Sequence, residues 1–151
     1  MTRINLVPVQ DLTDQHLMRE YQELPRILGN VRKGIAAGKT PKNYKIPGEY
    51  VLGTGHMTFF YDKLEFLRKR QDELIKELLN RSYNIQFVDG LDLSEFPDYW
   101  CNDYEPTVKA IELSRSRIFE KIDLKPSWYK YWGLTFIEYD LDVVERVFGK
   151  I

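Results

Sequence analysis

Residues 14–38 read DQHLMREYQELPRILGNVRKGIAAG, and this stretch decides the class of the fold. Leu17, Tyr21, Leu24, Leu28, Val31 and Ile35 recur at alternating steps of four and three, the spacing that lays apolar side chains along one stripe of a helix. Thr13 or Asp14 supplies an N-cap oxygen, and Gly38 supplies the stop. Pro25 interrupts the pattern. It has no N–H to offer the carbonyl of Tyr21 and its ring crowds that carbonyl, so the helix is expected to bend there.

Two further helices follow from the same spacing. Phe60, Leu64, Leu67, Leu74 and Leu78, with Gln71 in register, predict a second one, and Phe66, Ile75 and Leu79 widen its stripe. A third is expected from Pro106, with Val108, Ile111, Ile118 and Ile122 on its inner face. The acidic stretch 89–105 between them reads as loop, and the last 18 residues allow a short helix from Asp140 to Phe148. There is no internal repeat and no clear alternation for a sheet. The expected class is all-α, a single compact domain of three main helices with long connecting loops. Residues 1–133 form the helical domain, and residues 134–151 form a C-terminal extension packed on it or trailing from it.

Composition narrows the class of function. With 151 residues, 43% hydrophobic and 30% charged, the chain has the make-up of a folded domain and not of a disordered one. One cysteine, Cys101, excludes an internal disulfide framework. The longest uncharged run, Tyr50 to Tyr61, is 12 residues, too short to span a bilayer. Asn5, Pro8 and Gln10 break up any apolar signal core, so a cytoplasmic protein without a membrane partner is expected. The net charge of −1 conceals a segregated pattern. Residues 1–45 carry eight Lys/Arg against four Asp/Glu, residues 86–112 one against seven, and residues 113–133 five against two. Two basic blocks in a near-neutral chain suit either a cationic face for an anionic partner or a salt-bridged surface.

Three features carry candidate chemistry. Opposite the apolar stripe of the first helix run His16, Arg19, Glu23, Arg26, Asn30 and Lys33. Such a face is commonly just solvated, but Glu23 stands directly before the bend and three residues from Arg26. Surrounding cations favour the ionised carboxylate, which suits a base or a stabiliser of positive charge better than a proton donor. The second feature is the N-terminus. A small residue at position 2 normally allows removal of Met1, leaving Thr2 with a free α-amine beside Arg3. An α-amine has a pKa of about 7.7–8.0, so a useful fraction is nucleophilic near neutrality. The alternative is a frayed end, against which Ile4, Leu6 and Val9 offer apolar anchors. The third is Trp128-Tyr129-Lys130-Tyr131-Trp132, where aromatic rings that stack bases alternate with a cation. Packing of this segment on the bundle explains it equally well. Arg117 and Lys121, four apart, read as a phosphate clamp or a plain surface pair. Gly53-Thr54-Gly55 lacks the Gly-Lys-Ser/Thr ending of a phosphate loop. His16, His56 and Cys101 lack the spacing of zinc ligands, and Asp140 with Asp142 makes no calcium loop. Neither a metal nor an organic cofactor is expected.

Taken together, these residues resemble a known family. Thr2-Arg3-Ile4-Asn5-Leu6, Asp14-Gln15-His16-Leu17-Met18, Glu20-Tyr21 and Glu23-Leu24-Pro25-Arg26 match in order and spacing. So do Gly55-His56, Thr58 through Gln71, Arg117, Glu120-Lys121 and Pro126 with Trp128-Tyr129-Lys130-Tyr131. The chain resembles the pyrimidine-dimer DNA glycosylase/AP lyase family, the endonuclease V type of T-even bacteriophages, over residues 2 to 133. The resemblance implies a DNA repair enzyme that acts without cofactor, as a monomer, on double-stranded DNA carrying UV lesions or abasic sites. It implies Thr2 as amine nucleophile and Glu23 as the indispensable carboxylate, with the 5′ base of a pyrimidine dimer removed through an imine and the strand nicked by β-elimination. It implies DNA contacts from Arg3, Gln15, His16, Gln22, Arg26 and Lys33, and from Arg117, Lys121, Trp128, Tyr129 and Lys130. Gln22 stands where the phage type has an arginine, the stretch 89–105 diverges, and residues 134–151 extend beyond the family pattern. The alternatives are an AP lyase with weak glycosylase activity and a non-catalytic helical module that binds damaged DNA.

Overall fold

Thr13 begins the first helix: its hydroxyl accepts the His16 N–H at 3.0 Å, ahead of α1 (Asp14–Glu23). A computed structural model of the chain describes residues 3–135. Thr2 and the expected helix Asp140–Phe148 lie outside the described residues. The bend falls at Pro25, as the sequence predicts. There α1 gives way through Leu24, itself helical at φ −54° and ψ −43°, to α2 (Pro25–Ala36). The Ile27 N–H turns to the Leu24 carbonyl at 3.1 Å, a tightened turn at the break. Gly38 closes α2 with φ +78°, donating to the Ile35 carbonyl while Lys39 donates to Gly34, both at 2.9 Å. That pair of bonds is a Schellman motif, which needs the left-handed backbone glycine adopts freely.

The chain is mostly helical. After α2 come a single-turn α3 (His56–Phe59), α4 (Leu64–Asn80) and α5 (Val108–Leu124). The helix expected from Phe60 therefore begins at Leu64, and Phe60 is the C-cap of the preceding turn α3. Phe59 and Phe60 are buried in an aromatic cluster with Tyr50 and His56, and the break at Lys63 lets both rings face it. α4 packs along α1, and Leu64, Leu67, Leu74 and Leu78 of α4 are buried in the same core as Leu17 and Tyr21 of α1 and Leu24 after it. Leu79, expected to widen that stripe, is instead exposed. α5 starts later than Pro106 because the Thr107 hydroxyl, accepting the Ala110 N–H at 3.1 Å, is its cap. Val108 is consequently 71% exposed, and Ala110, Ser114, Ile118 and Ile122 form the buried face. Within the acidic loop a 3-10 turn, Asp98–Trp100, delivers the fully buried Trp100. Among the described residues no helix is long and apolar enough to cross a membrane.

Past α5 the chain makes a small antiparallel hairpin that alternation had not disclosed. β1 (Lys130–Tyr131) pairs with β2 (Leu134–Thr135) through Trp132 and Gly133, at φ +53° and +83°. Two successive positive φ values are the mark of a type I′ turn. This turn crosses the position where the sequence divides core from extension. The buried Asp14 carboxylate accepts the Trp132 and Gly133 N–H groups at 3.1 and 2.8 Å, and Arg81 donates to it at 3.0 Å. Arg81 also stacks over the Tyr131 ring at 4.8 Å. The first turn of α1 and the end of α4 thus hold the hairpin between them.

The N-terminal segment runs into the same core. Ile4, Leu6, Val7 and Val9 are buried, which is the anchoring the sequence suggested. The amides of Ile4, Asn5 and Leu6 are satisfied without a β-ladder. Ile4 N–H donates to His56 Nε2 at 2.8 Å, Asn5 N–H to Glu20 Oε1 at 3.2 Å, and Leu6 N–H to Ser114 Oγ at 2.9 Å. Arg70 holds the same Glu20 carboxylate, Nε to Oε2 at 2.7 Å, and donates to the Val7 carbonyl at 2.6 Å.

Candidate functional site

The outer face of α1, the end of the N-terminal segment and the outer face of α5 enclose a cleft of about 430 Å³. Arg3 enters from the N-terminal segment, Gln15, His16 and Arg19 from α1, and Arg117 and Lys121 from α5; Lys125, Trp128 and Tyr129 close the far end. Five cations line it, and no carboxylate of the described residues does. Burial, and next the neighbouring Arg117 guanidinium, pull the Arg3 pKa below its ordinary value. That direction marks a positive site short of negative charge.

The aromatic end of the cleft is built on His16. Its ring lies parallel to Tyr129, 4.8 Å between centroids and 5° between planes, and Tyr129 meets Trp128 edge-on at 4.9 Å. Trp128 remains 53% exposed, so one indole faces outward from a supported stack. Burial, with Lys121, Arg117 and Arg19 adding to it, brings the His16 pKa down to about 4. The ring is therefore a neutral wall near pH 7. Gln15 holds the segment in place: its Nε2 donates to the Trp128 carbonyl at 2.6 Å and its Oε1 accepts the Lys130 N–H at 2.9 Å. Both ends of that amide are used on the backbone.

Glu23 differs from the other residues of its stripe. Sequence periodicity puts it on the solvated face, yet it is 7% exposed. Oε1 lies 3.4 Å from Arg19 Nη1 and 3.9 Å from Arg26 Nη1, while Oε2 is buried and meets no hydrogen-bond donor among the described residues. Arg19 belongs to both settings, pairing with Glu23 and lining the cleft. An acceptor buried without a partner costs free energy unless something arrives to satisfy it.

The remaining candidates divide into near and far. Gln22 and Lys130 border a second recess of about 300 Å³ that shares Gln15, Arg19 and Trp128 with the cleft. Arg26 is exposed beside Glu23. Lys33 is also exposed but borders neither recess, two turns beyond Arg26 on α2. Arg117 contacts Glu120 at 3.6 Å on α5 and still lines the cleft. Sequence spacing placed Arg19 in the cationic stripe of α1 but missed Lys125 as a member of the site, as well as the supports Glu20, Arg70, His56 and Ser114. Lys125 carries the right charge four residues after Lys121. The supports act across separations of 15 to 108 residues, for which spacing holds no signal.

In comparison with known families, the model for pyrimidine dimer DNA glycosylase matches residues 1–89 of the 151. The match takes in Arg3, α1 with its cleft-facing side, Glu23 and Arg26, and all of α4.

Proposed function

The chain belongs to the pyrimidine dimer DNA glycosylase family, a DNA repair family acting on DNA, and on that premise we propose how its residues divide the work. The Thr2 amine attacks C1′ of the damaged nucleotide with its lone pair. The C1′–base bond breaks and the base departs with that electron pair, taking up a proton. The attached amine then loses its own proton as the C1′–O4′ bond opens, giving the imine and a protonated O4′. Loss of a C2′ proton expels the 3′ phosphate by β-elimination, so the enzyme is an AP lyase as well as a glycosylase. Water releases the sugar and restores the amine.

The observation that carries this reading is the Glu23 carboxylate, buried at the bend with one oxygen between two arginines and the other unpartnered among the described residues. A fixed anion of this kind stabilises the positive charge that grows on the sugar as the base leaves, and it accepts the C2′ proton. Arg3, the covalent neighbour of Thr2, lines the same cleft as Arg19, the ion-pair partner of Glu23, which supports this reading. Arg3, Arg19, Arg26, Arg117, Lys121 and Lys125 meet phosphates, so affinity falls with salt. Trp128, on the stack built by Tyr129 and His16, offers a face to an unstacked base. Gln15 holds that stack, Gln22 and Lys130 meet the backbone beyond it, and Lys33 extends the contact along α2. The protein acts as a cytoplasmic monomer, with residues 1–133 as its glycosylase-like helical domain.

Borohydride reduction during reaction with dimer-containing duplex tests the proposal. The expected result is a covalent enzyme–DNA adduct whose modified residue is Thr2, in a chain lacking Met1. An adduct on a lysine, or an active chain that retains Met1, overturns it. Adducts on abasic duplex but not on dimer duplex favour the AP lyase alternative, and no adduct on either favours the non-catalytic binder.

A further inference from the structure

One buried histidine takes no part in this chemistry. His56, the first residue of α3, is 1% exposed. Its Nε2 lies 2.8 Å from the Ile4 nitrogen and its Nδ1 lies 2.7 Å from the Val51 carbonyl oxygen. A backbone N–H can only donate and a carbonyl can only accept. The ring must therefore be neutral, with its hydrogen on Nδ1 and its lone pair on Nε2. On the other side of the same residue, Tyr50 Oη donates to the Ile4 carbonyl at 2.7 Å. Both polar groups of Ile4 are thus fixed by side chains of the segment 50–56, itself stiffened by the edge-on packing of Tyr50 against His56 at 5.3 Å.

Ile4 lies two residues from Thr2, so the Cα of Thr2 is at most ~7 Å upstream along an extended backbone. We propose that His56 is a positioning residue for the glycosylase: by accepting the Ile4 N–H it sets the direction in which the chain leaves the core, and so where the terminal amine meets the sugar. It touches no reacting atom. The inference rests on the reading of Thr2 as nucleophile and deepens it.

An imidazolium at this position would turn an N–H toward the N–H of Ile4 and lose the bond. Burial opposes that state most. The Val51 carbonyl favours it, and the Arg3 guanidinium opposes it, bringing the His56 pKa down to about 4. The other titratable group facing the ring, the Tyr50 phenol, is pushed up to about 12 chiefly by burial and stays neutral. Near pH 7 the anchor is therefore permanently set.

The test compares His56→Leu, which cannot accept the Ile4 N–H, with His56→Gln, whose Oε1 reaches close to the place of Nε2. Three quantities are read: the single-turnover rate of borohydride-trapped adduct at saturating enzyme, the Kd for dimer duplex, and hydrogen exchange of the Ile4 amide. His56→Leu is expected to slow trapping about tenfold or more, with Kd changed less than about twofold and Ile4 exchange accelerated, because misplacing a nucleophile costs rate more than affinity. His56→Gln is expected to recover most of the rate. A wild-type trapping rate in His56→Leu overturns the inference, as does equal slowing of both variants with Ile4 protected. Should His56→Leu fail to fold, Tyr50→Phe, which frees the Ile4 carbonyl alone, must slow trapping in the same direction, and an unchanged rate there overturns the inference too. A wild-type adduct on a lysine overturns the Thr2 reading itself. A normal wild-type adduct with an unaffected variant overturns only the role of His56.

Discussion

Arg19 Nη1 lies 3.4 Å from Glu23 Oε1, one helical turn away, and this contact ties an exposed cation of the cleft to a buried carboxylate. The arginine side chain is 70% exposed and the glutamate side chain 9%. The pair therefore adds little to stability. It commits one carboxylate oxygen to the arginines, while the other meets no donor among the described residues.

Glu23→Gln keeps the shape of the side chain and removes its charge. Damaged-DNA binding is expected to stay within a few-fold, while single-turnover base release falls by about 10²–10⁴. Gel-shift titration beside a product-release assay separates the two, and near-normal release in the variant removes Glu23 from the mechanism.

Arg26 is the second cation on Oε1, and its side chain is 64% exposed at 3.9 Å. If it meets a phosphate, Arg26→Ala lowers affinity evenly across duplex sequences and flattens the plot of log Kd against log salt by about one unit. An unchanged slope means no phosphate contact at that position.

Gln15 spends both ends of its amide on the backbone at Trp128 and Lys130. Gln15→Ala removes both bonds from a partly exposed site, a loss of about 1 kcal/mol. Trp128 and Tyr129 should then lose their fixed pose, seen as faster exchange of the Lys130 amide and weaker quenching of tryptophan emission by single-stranded DNA. Unaltered Lys130 exchange would contradict this account.

The two histidines set an acid limit. Each has a folded pKa of about 4 against an ordinary 6.5, with burial the first cause. A base whose folded value is depressed takes up its proton only on unfolding, so stability is complete above 6.5 and is lost as pH falls from there toward 4. Each ring contributes up to about 3 kcal/mol to that loss. Urea midpoints through this window should fall less steeply for His16→Phe, which keeps the stack on Tyr129, than for the wild type. Parallel slopes would mean that His16 takes up its proton without unfolding.

How far the sequence disclosed the fold depended on whether a contact was local. The stripe from Leu17 to Ile35, the bend at Pro25 and the closure at Gly38 are all set within a few residues, and all were legible. α5 was read less well because small residues make its buried face. Ala110 and Ser114 do not register as an apolar stripe, whereas exposed Val108 does. Trp100 is buried from inside an acidic loop for which no periodicity exists. The cationic members of the cleft followed from charge at helical spacing on α1 and α5, but their convergence did not, since it depends on how those helices lie together. Glu23 was singled out by its place before the bend, while its burial, and an oxygen unpartnered among the described residues, were visible only in three dimensions.

Three consecutive amides, at Ile4, Asn5 and Leu6, end on side chains from α3, α1 and α5 respectively. A ribbon tethered to three separate helices has no settled course until all three have docked. The course of residues 4–6 is thus a property of the assembled bundle, and loosening any one of the three helices would free a different amide of the same short segment.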